Sequence, residues 1–150
     1  MKKIAVITNS EKETKKIAEN LGKKLLQVKG NKSVILALSG DLGSGKTTFI
    51  QGLAKGLNIK NKIISPTFII NKRYKIKGVF YKNFYHIDAY RIKTKKDLET
   101  TGVFGAIKNK TSILAIEWAN IIKKHLPKNV INIKLKHISP KSRKIIFEKK

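Results

Sequence analysis

The stretch "VILALSGDLGSGKTTFIQGLAKGL", residues 34–57, limits the fold more than any other part of the chain. An apolar run of strand length leads into a glycine-rich segment, and Phe49, Ile50, Leu53, Ala54 and Leu57 then recur at helical spacing. A strand without polar alternation is covered on both faces, as in a parallel sheet flanked by helices. Glycine costs backbone entropy, so several together mean a tight bend or a close approach to something. Gly40, Gly45, Lys46 and Thr47 match G-x-x-x-x-G-K-[ST] in the required strand–loop–helix setting. In that setting successive N–H groups converge on an anion, and the helix N-terminus adds positive potential. Lys46 would reach the β- and γ-phosphates of a nucleotide, and Thr47 would offer its hydroxyl to Mg²⁺. The bland alternative is an ordinary glycine turn before a helix.

The remaining pattern fits one α/β domain over residues 1–150. Ser10 and Glu13 stand at capping-box spacing before Ile17, Leu21 and Leu25, which predicts a helix over 11–27. Gly56 is a possible cap for the helix after the loop. Pro66 makes Ser65 extended, and a strand is expected after it. "VFYKNFYHIDAYR" reads as a strand region ending at Asp88, and Thr94 with Asp97 as the cap of a short helix over 95–101. "TSILAIEW" reads as a buried strand ending at Glu117, and "ANIIKKHL" as a helix stopped by Pro127. "VINIKLKHI" and "RKIIFEK" alternate like antiparallel strands about "SPKS". The expected fold is a three-layer sandwich of the phosphate-loop NTPase kind, with a central, mostly parallel sheet and antiparallel additions.

Composition narrows the functional classes. The absence of cysteine excludes disulfides and thiolate metal sites. No apolar run reaches membrane-spanning length, so a cytoplasmic protein without a membrane partner is expected. The formal charge of +25 invites a nucleic-acid reading, yet only Arg73, Arg91 and Arg143 are arginines and the lysines are spread along the chain. An AT-rich coding bias gives such a surface, with a polyanion partner as the alternative.

Only nine residues are acidic, so Asp88 and Glu117, each closing an apolar strand, stand out. Ligands bind at the carboxyl ends of parallel strands. One of the two should hold Mg²⁺, while the other orients the attacking water or completes the metal shell. The residues alone do not assign the two roles. His86, two residues before Asp88, shares its strand face and reads more readily as a packed histidine than a catalytic one. Trp118 fits either the core or the flank of a nucleotide, and Thr67 in "SPTF" either a plain turn or a γ-phosphate sensor.

Four ordered motifs resemble the TsaE (YjeE) family of ATPases in tRNA threonylcarbamoyladenosine biosynthesis, and the likeness covers nearly the whole chain. They are "GDLGSGKTTFIQGLAKGL", "SPTF" at 65–68, "HIDAYR" at 86–91 and "IEW" at 116–118. "SEKETKKIAENLG" is similar to the family's N-terminal helix. Ser44 stands where alanine is common, Ala119 where proline is frequent, and the chain is more basic than usual. The resemblance implies ATP and Mg²⁺ as cofactors and slow hydrolysis of ATP by the protein alone. It implies TsaB and TsaD as partners, whose assembly ATP turnover would reset or regulate without TsaE performing the transfer. Nucleotide binding would fall on Thr14, Gly43, Ser44, Gly45, Lys46, Thr47 and Thr48, with Asn120 a weaker candidate near the base. Mg²⁺ would fall on Thr47 and Glu117, with Asp88 as the second catalytic carboxylate beside Lys46. Direct tRNA contact would be weak or indirect.

Two other classes compete with this reading. A small-molecule kinase clamps its phosphates with several arginines, of which this chain has few. A non-enzymatic RNA-binding module leaves the two strand-end acids without a role. The lack of an Asn-Lys-x-Asp run weakens a GTPase reading.

Overall fold

The computed structural model describes residues 2–41, 43–63 and 71–149. Its sheet has seven strands in the order β1-β7-β6-β2-β5-β4-β3. The centre is parallel: β2 (Val34–Ser39) lies between β5 (Ser112–Glu117) and β6 (Ile131–His137), and β4 (Asn83–Asp88) runs along the other side of β5. Both edges are antiparallel, β3 (Asn71–Lys75) on β4, β7 (Arg143–Lys149) on β6, and β1 (Lys2–Thr8) on β7. This is the layered α/β arrangement expected from the loop and its flanking elements.

Side-chain alternation divides the central strands between two cores. Leu36, Leu38, Ile113, Ala115 and Phe84 face α1 (Glu11–Gln27) and α2 (Lys46–Gly56). Ile35, Ala37, Leu114, Ile116 and Ile87 face the other way, toward α3 (Lys95–Thr100), α4 (Val103–Lys108) and a 3-10 helix over Ala119–His125. His86, Asp88 and Glu117 share the parity of Phe84 and Ala115, which puts all three on the α2 side.

Local chemistry accounts for the element ends. The Ser10 hydroxyl accepts from the Glu13 amide at 3.1 Å and starts α1, and a reciprocal Thr94–Asp97 capping box starts α3. Gly56 is no cap. It is the last residue of α2, and a Cβ there would overlap the Glu19 backbone carbonyl, as one at Gly52 would overlap that of Lys15. These glycines let α1 and α2 pack backbone to backbone. The segment after Glu117 is a 3-10 helix broken at Ile122 (φ −111°), tighter than the helix its sequence suggests. The edge strand β1 and the helix α4 carried no signal that the sequence reading used. The "SPTF" segment with Thr67 lies outside the described residues.

Candidate functional site

The glycine-rich loop joins β2 to α2. Gly43 and Gly45 have φ of 79° and 99°, a region that disfavours any side chain. Gly45 is the N-cap of α2, and its carbonyl accepts from the Phe49 amide at 2.9 Å. Lys46, the next residue, is only 5% exposed. Its ammonium donates to the carbonyls of Gly40 (2.6 Å) and Asp41 (2.9 Å) and, at 3.4 Å, to the Ser44 hydroxyl. It also lies 4.2 Å from the centroid of the Trp118 ring. The loop thus holds the cation with its own oxygens. Burial lowers the Lys46 pKa, opposed by the carboxylates of Glu117, Asp41 and Asp88.

The strand-end acids sit side by side, because Asp88 and Glu117 are register partners across β4 and β5. Their surroundings differ. Glu117 is 3% exposed and gripped at both oxygens. One accepts from the Thr47 hydroxyl at 3.2 Å; the other lies 2.6 Å from Nε2 of the buried His86. Asp88 is half-buried and accepts from the Tyr90 amide at 3.0 Å. Burial raises its pKa, with Glu117 adding to the rise, and the Tyr90 amide, His86 and Lys46 opposing it. Trp118 follows Glu117 in the left-handed region (φ 56°), uncommon for a bulky residue, and its ring packs against that of Tyr90, tilted by 51° with centroids 5.1 Å apart.

Thr14, Gly43, Gly45, Lys46, Thr47, Thr48 and Glu117 line one cavity of about 660 Å³. Ser44, within the loop, is buried, and Asp88 adjoins Glu117. The Thr14 hydroxyl is paired with that of Thr8 at 2.7 Å. Asn120 is not brought into this cavity; it lines a separate groove. Arg143, which the sequence reading left out of the site, does line the cavity. Its guanidinium donates to the carbonyls of Gly43 (3.2 Å), Ser139 (2.9 Å) and Ser142 (3.0 Å), tying the β6–β7 turn to the loop. Only a contact across 100 residues of sequence makes it part of the site, so no local pattern could have marked it.

The residues fit a magnesium nucleotide. Among the described residues no cluster of three His, Asp or Glu could hold a metal ion unaided. A hydroxyl and a carboxylate already in contact, Thr47 and Glu117, are the small protein share that Mg²⁺ needs when phosphates and waters fill its remaining positions. The three oxygens around Lys46 occupy donors that phosphate oxygens would take.

A family model described as threonylcarbamoyl adenosine biosynthesis protein TsaE matches residues 8–145. The chain is 36% identical over 148 residues to a Bacillus subtilis protein named tRNA threonylcarbamoyladenosine biosynthesis protein TsaE, covering 98% of this chain and 86% of the relative. A Rickettsia typhi protein of the same name is 39% identical over 129 residues, covering 85% and 83%. The crystal structure of Bacillus subtilis YdiB superimposes with a TM-score of 0.72 at 31% identity, over 97% of this chain and 84% of that one.

Proposed function

The chain belongs to the TsaE family, and on that premise we propose that it binds Mg-ATP and hydrolyses it to regulate or reset a TsaB–TsaD assembly in tRNA threonylcarbamoyladenosine biosynthesis. The observation that carries this reading is the junction of β2, α2 and β5, where a buried lysine is held by loop carbonyls beside a contacting hydroxyl–carboxylate pair.

Each residue has work that its surroundings suit. Gly43 and Gly45 leave the loop amides unobstructed for phosphate oxygens. The Lys46 ammonium exchanges its loop carbonyls for the β- and γ-phosphates. Thr47 and Glu117 would hold the metal, and His86 keeps the Glu117 carboxylate in one orientation. Asp88, whose carboxylate is the less tightly held of the two, accepts a hydrogen bond from the attacking water. When bound there, Mg²⁺ would neutralise charge that develops on the transferred phosphoryl group. Thr14 and Arg143 line the same cavity.

A stoichiometric ATPase assay tests the proposal. Turnover is expected to be slow for the chain alone and to rise when TsaB and TsaD are added. No release of phosphate above the Lys46→Ala background, with or without those proteins, overturns it. Rapid ADP release that depends on a small acceptor would make the protein a kinase instead.

A further inference from the structure

The second groove, of about 820 Å³, is lined by Asn120 and by Lys3, Lys123, Lys128, Lys134 and Lys136, with Glu148 as its only acid. It belongs to the sheet face opposite the phosphate loop. There α4 and the 3-10 helix pack over β5 and β2, and the strands β6, β7 and β1 stay open. Strand register sets the rows that cross this open face. Lys134 stands beside Ile146 and Ala5, Lys136 beside Lys144 and Ile7, and Glu148 between Asn132 and Lys3. Directly opposed like charges such as Lys136 and Lys144 destabilise a sheet. Among the described residues, none of the five groove lysines has a carboxylate within 4.0 Å. On α1 and α2, across the sheet, lysines do find a carboxylate: Lys16, Lys23 and Lys55 pair with Glu19.

We propose that this groove binds the phosphate backbone of RNA. Charge complementarity selects a polyanion, and the lining selects nucleic acid over an acidic protein. Lysine is depleted from the cores of protein interfaces, whereas it is a standard donor to phosphates. Lys134 and Lys136 point the same way about 7 Å apart along β6. Asn120, Asn132 and Ser39 add uncharged groups able to bond ribose and phosphate oxygens. The lining has no aromatic residue, so bases are not stacked and binding follows backbone charge and shape rather than sequence. The choice of RNA among polyanions rests on the tRNA-modification reading; the excess of five lysines over one glutamate, which stands beside Lys3, does not.

The test compares two triple variants of equal net charge. One carries Lys123→Gln, Lys134→Gln and Lys136→Gln in the groove. The other carries Lys60→Gln, Lys62→Gln and Lys77→Gln at exposed positions outside it. Each is titrated with an unmodified tRNA transcript over a range of salt, with phosphatidylserine vesicles, and with a nonhydrolysable ATP analogue. The groove triple should bind RNA about 10-fold more weakly near physiological salt and lose about three units of salt slope, roughly one per lysine. The control triple should change by less than about 2-fold. Equal losses in both triples, no loss in either, no RNA binding by the wild type, or a loss confined to vesicles would each overturn the proposal. ATP-analogue affinity should stay unchanged in both triples. Failure of the wild type to bind the analogue would count against the ATPase reading alone.

Discussion

On the face covered by α1 and α2, the buried charges have partners within the fold: Lys46 has loop carbonyls, and Glu117 has Thr47 and His86. On the opposite face, the five groove lysines have no carboxylate within 4.0 Å among the described residues. Burial explains the contrast. An unpaired charge inside the protein costs several kcal/mol, so the loop site must satisfy its charges before any ligand arrives. An exposed ammonium is satisfied by water and can wait for a partner. On the proposed reading the first site would work by exchange, with a ligand displacing internal bonds, and the second by addition, with a ligand bringing an anion to lysines that have none within 4.0 Å.

The largest expected effect breaks the exchange side. Lys46→Ala should lower nucleotide affinity at least about 100-fold, since it removes charge-assisted bonds of about 1.5–3 kcal/mol each. Calorimetric titration with ADP reads this directly. His86→Leu leaves one oxygen of a buried carboxylate without its donor, which should cost about 3 kcal/mol and lower the melting temperature by roughly 6–12 °C. His86→Gln keeps a donor near the same place and should restore most of the loss; equal damage in both variants would mean that packing rather than the bond to Glu117 matters. Gly56→Ala tests the scaffold. Its methyl group would overlap the Glu19 carbonyl and should cost about 1–3 kcal/mol by forcing α1 and α2 apart.

Smaller effects sharpen the contrast. The Asp88 pKa is raised in the folded protein, so the native state holds its proton more tightly than the unfolded chain. Its contribution to stability is complete below the unfolded carboxylate value of about 4 and is lost as pH rises through the folded value. Asp88→Asn removes that loss. The variant should gain in melting temperature relative to wild type between acidic and neutral pH; a gain that is the same at both would contradict the burial account. The groove triple should move stability least, within about 0.5 kcal/mol, because its lysines are exposed.

Local signals were legible where physics acts locally. The glycine loop, the caps at Ser10 and Thr94, and the apolar strands ending at Asp88 and Glu117 follow from spacing alone. The sequence could not show that Glu117 is held by both Thr47 and His86, because that arrangement needs β4, β5 and α2 to meet. Arg143 was hidden for the same reason, and Asn120 shows the converse, being two residues from Trp118 yet lining the other groove. Gly56 looked like a helix stop because glycine serves both for caps and for close contacts, and only the neighbouring helix decides between them. The strand β1 was obscured by its flanking lysines and its exposed edge position, where apolar side chains such as Ile4 and Ile7 stay uncovered.

Trp118, the sole tryptophan, offers the most direct test of the exchange site, because the Lys46 ammonium lies over its ring. Tryptophan emission is followed while a nonhydrolysable ATP analogue and Mg²⁺ are titrated into the wild type and the Lys46→Ala variant. A triphosphate that draws Lys46 off the ring should give a saturable change in the wild type and little or none in the variant. An identical response in both proteins, or none in the wild type with no heat of binding, would contradict the claim that this loop takes the phosphates.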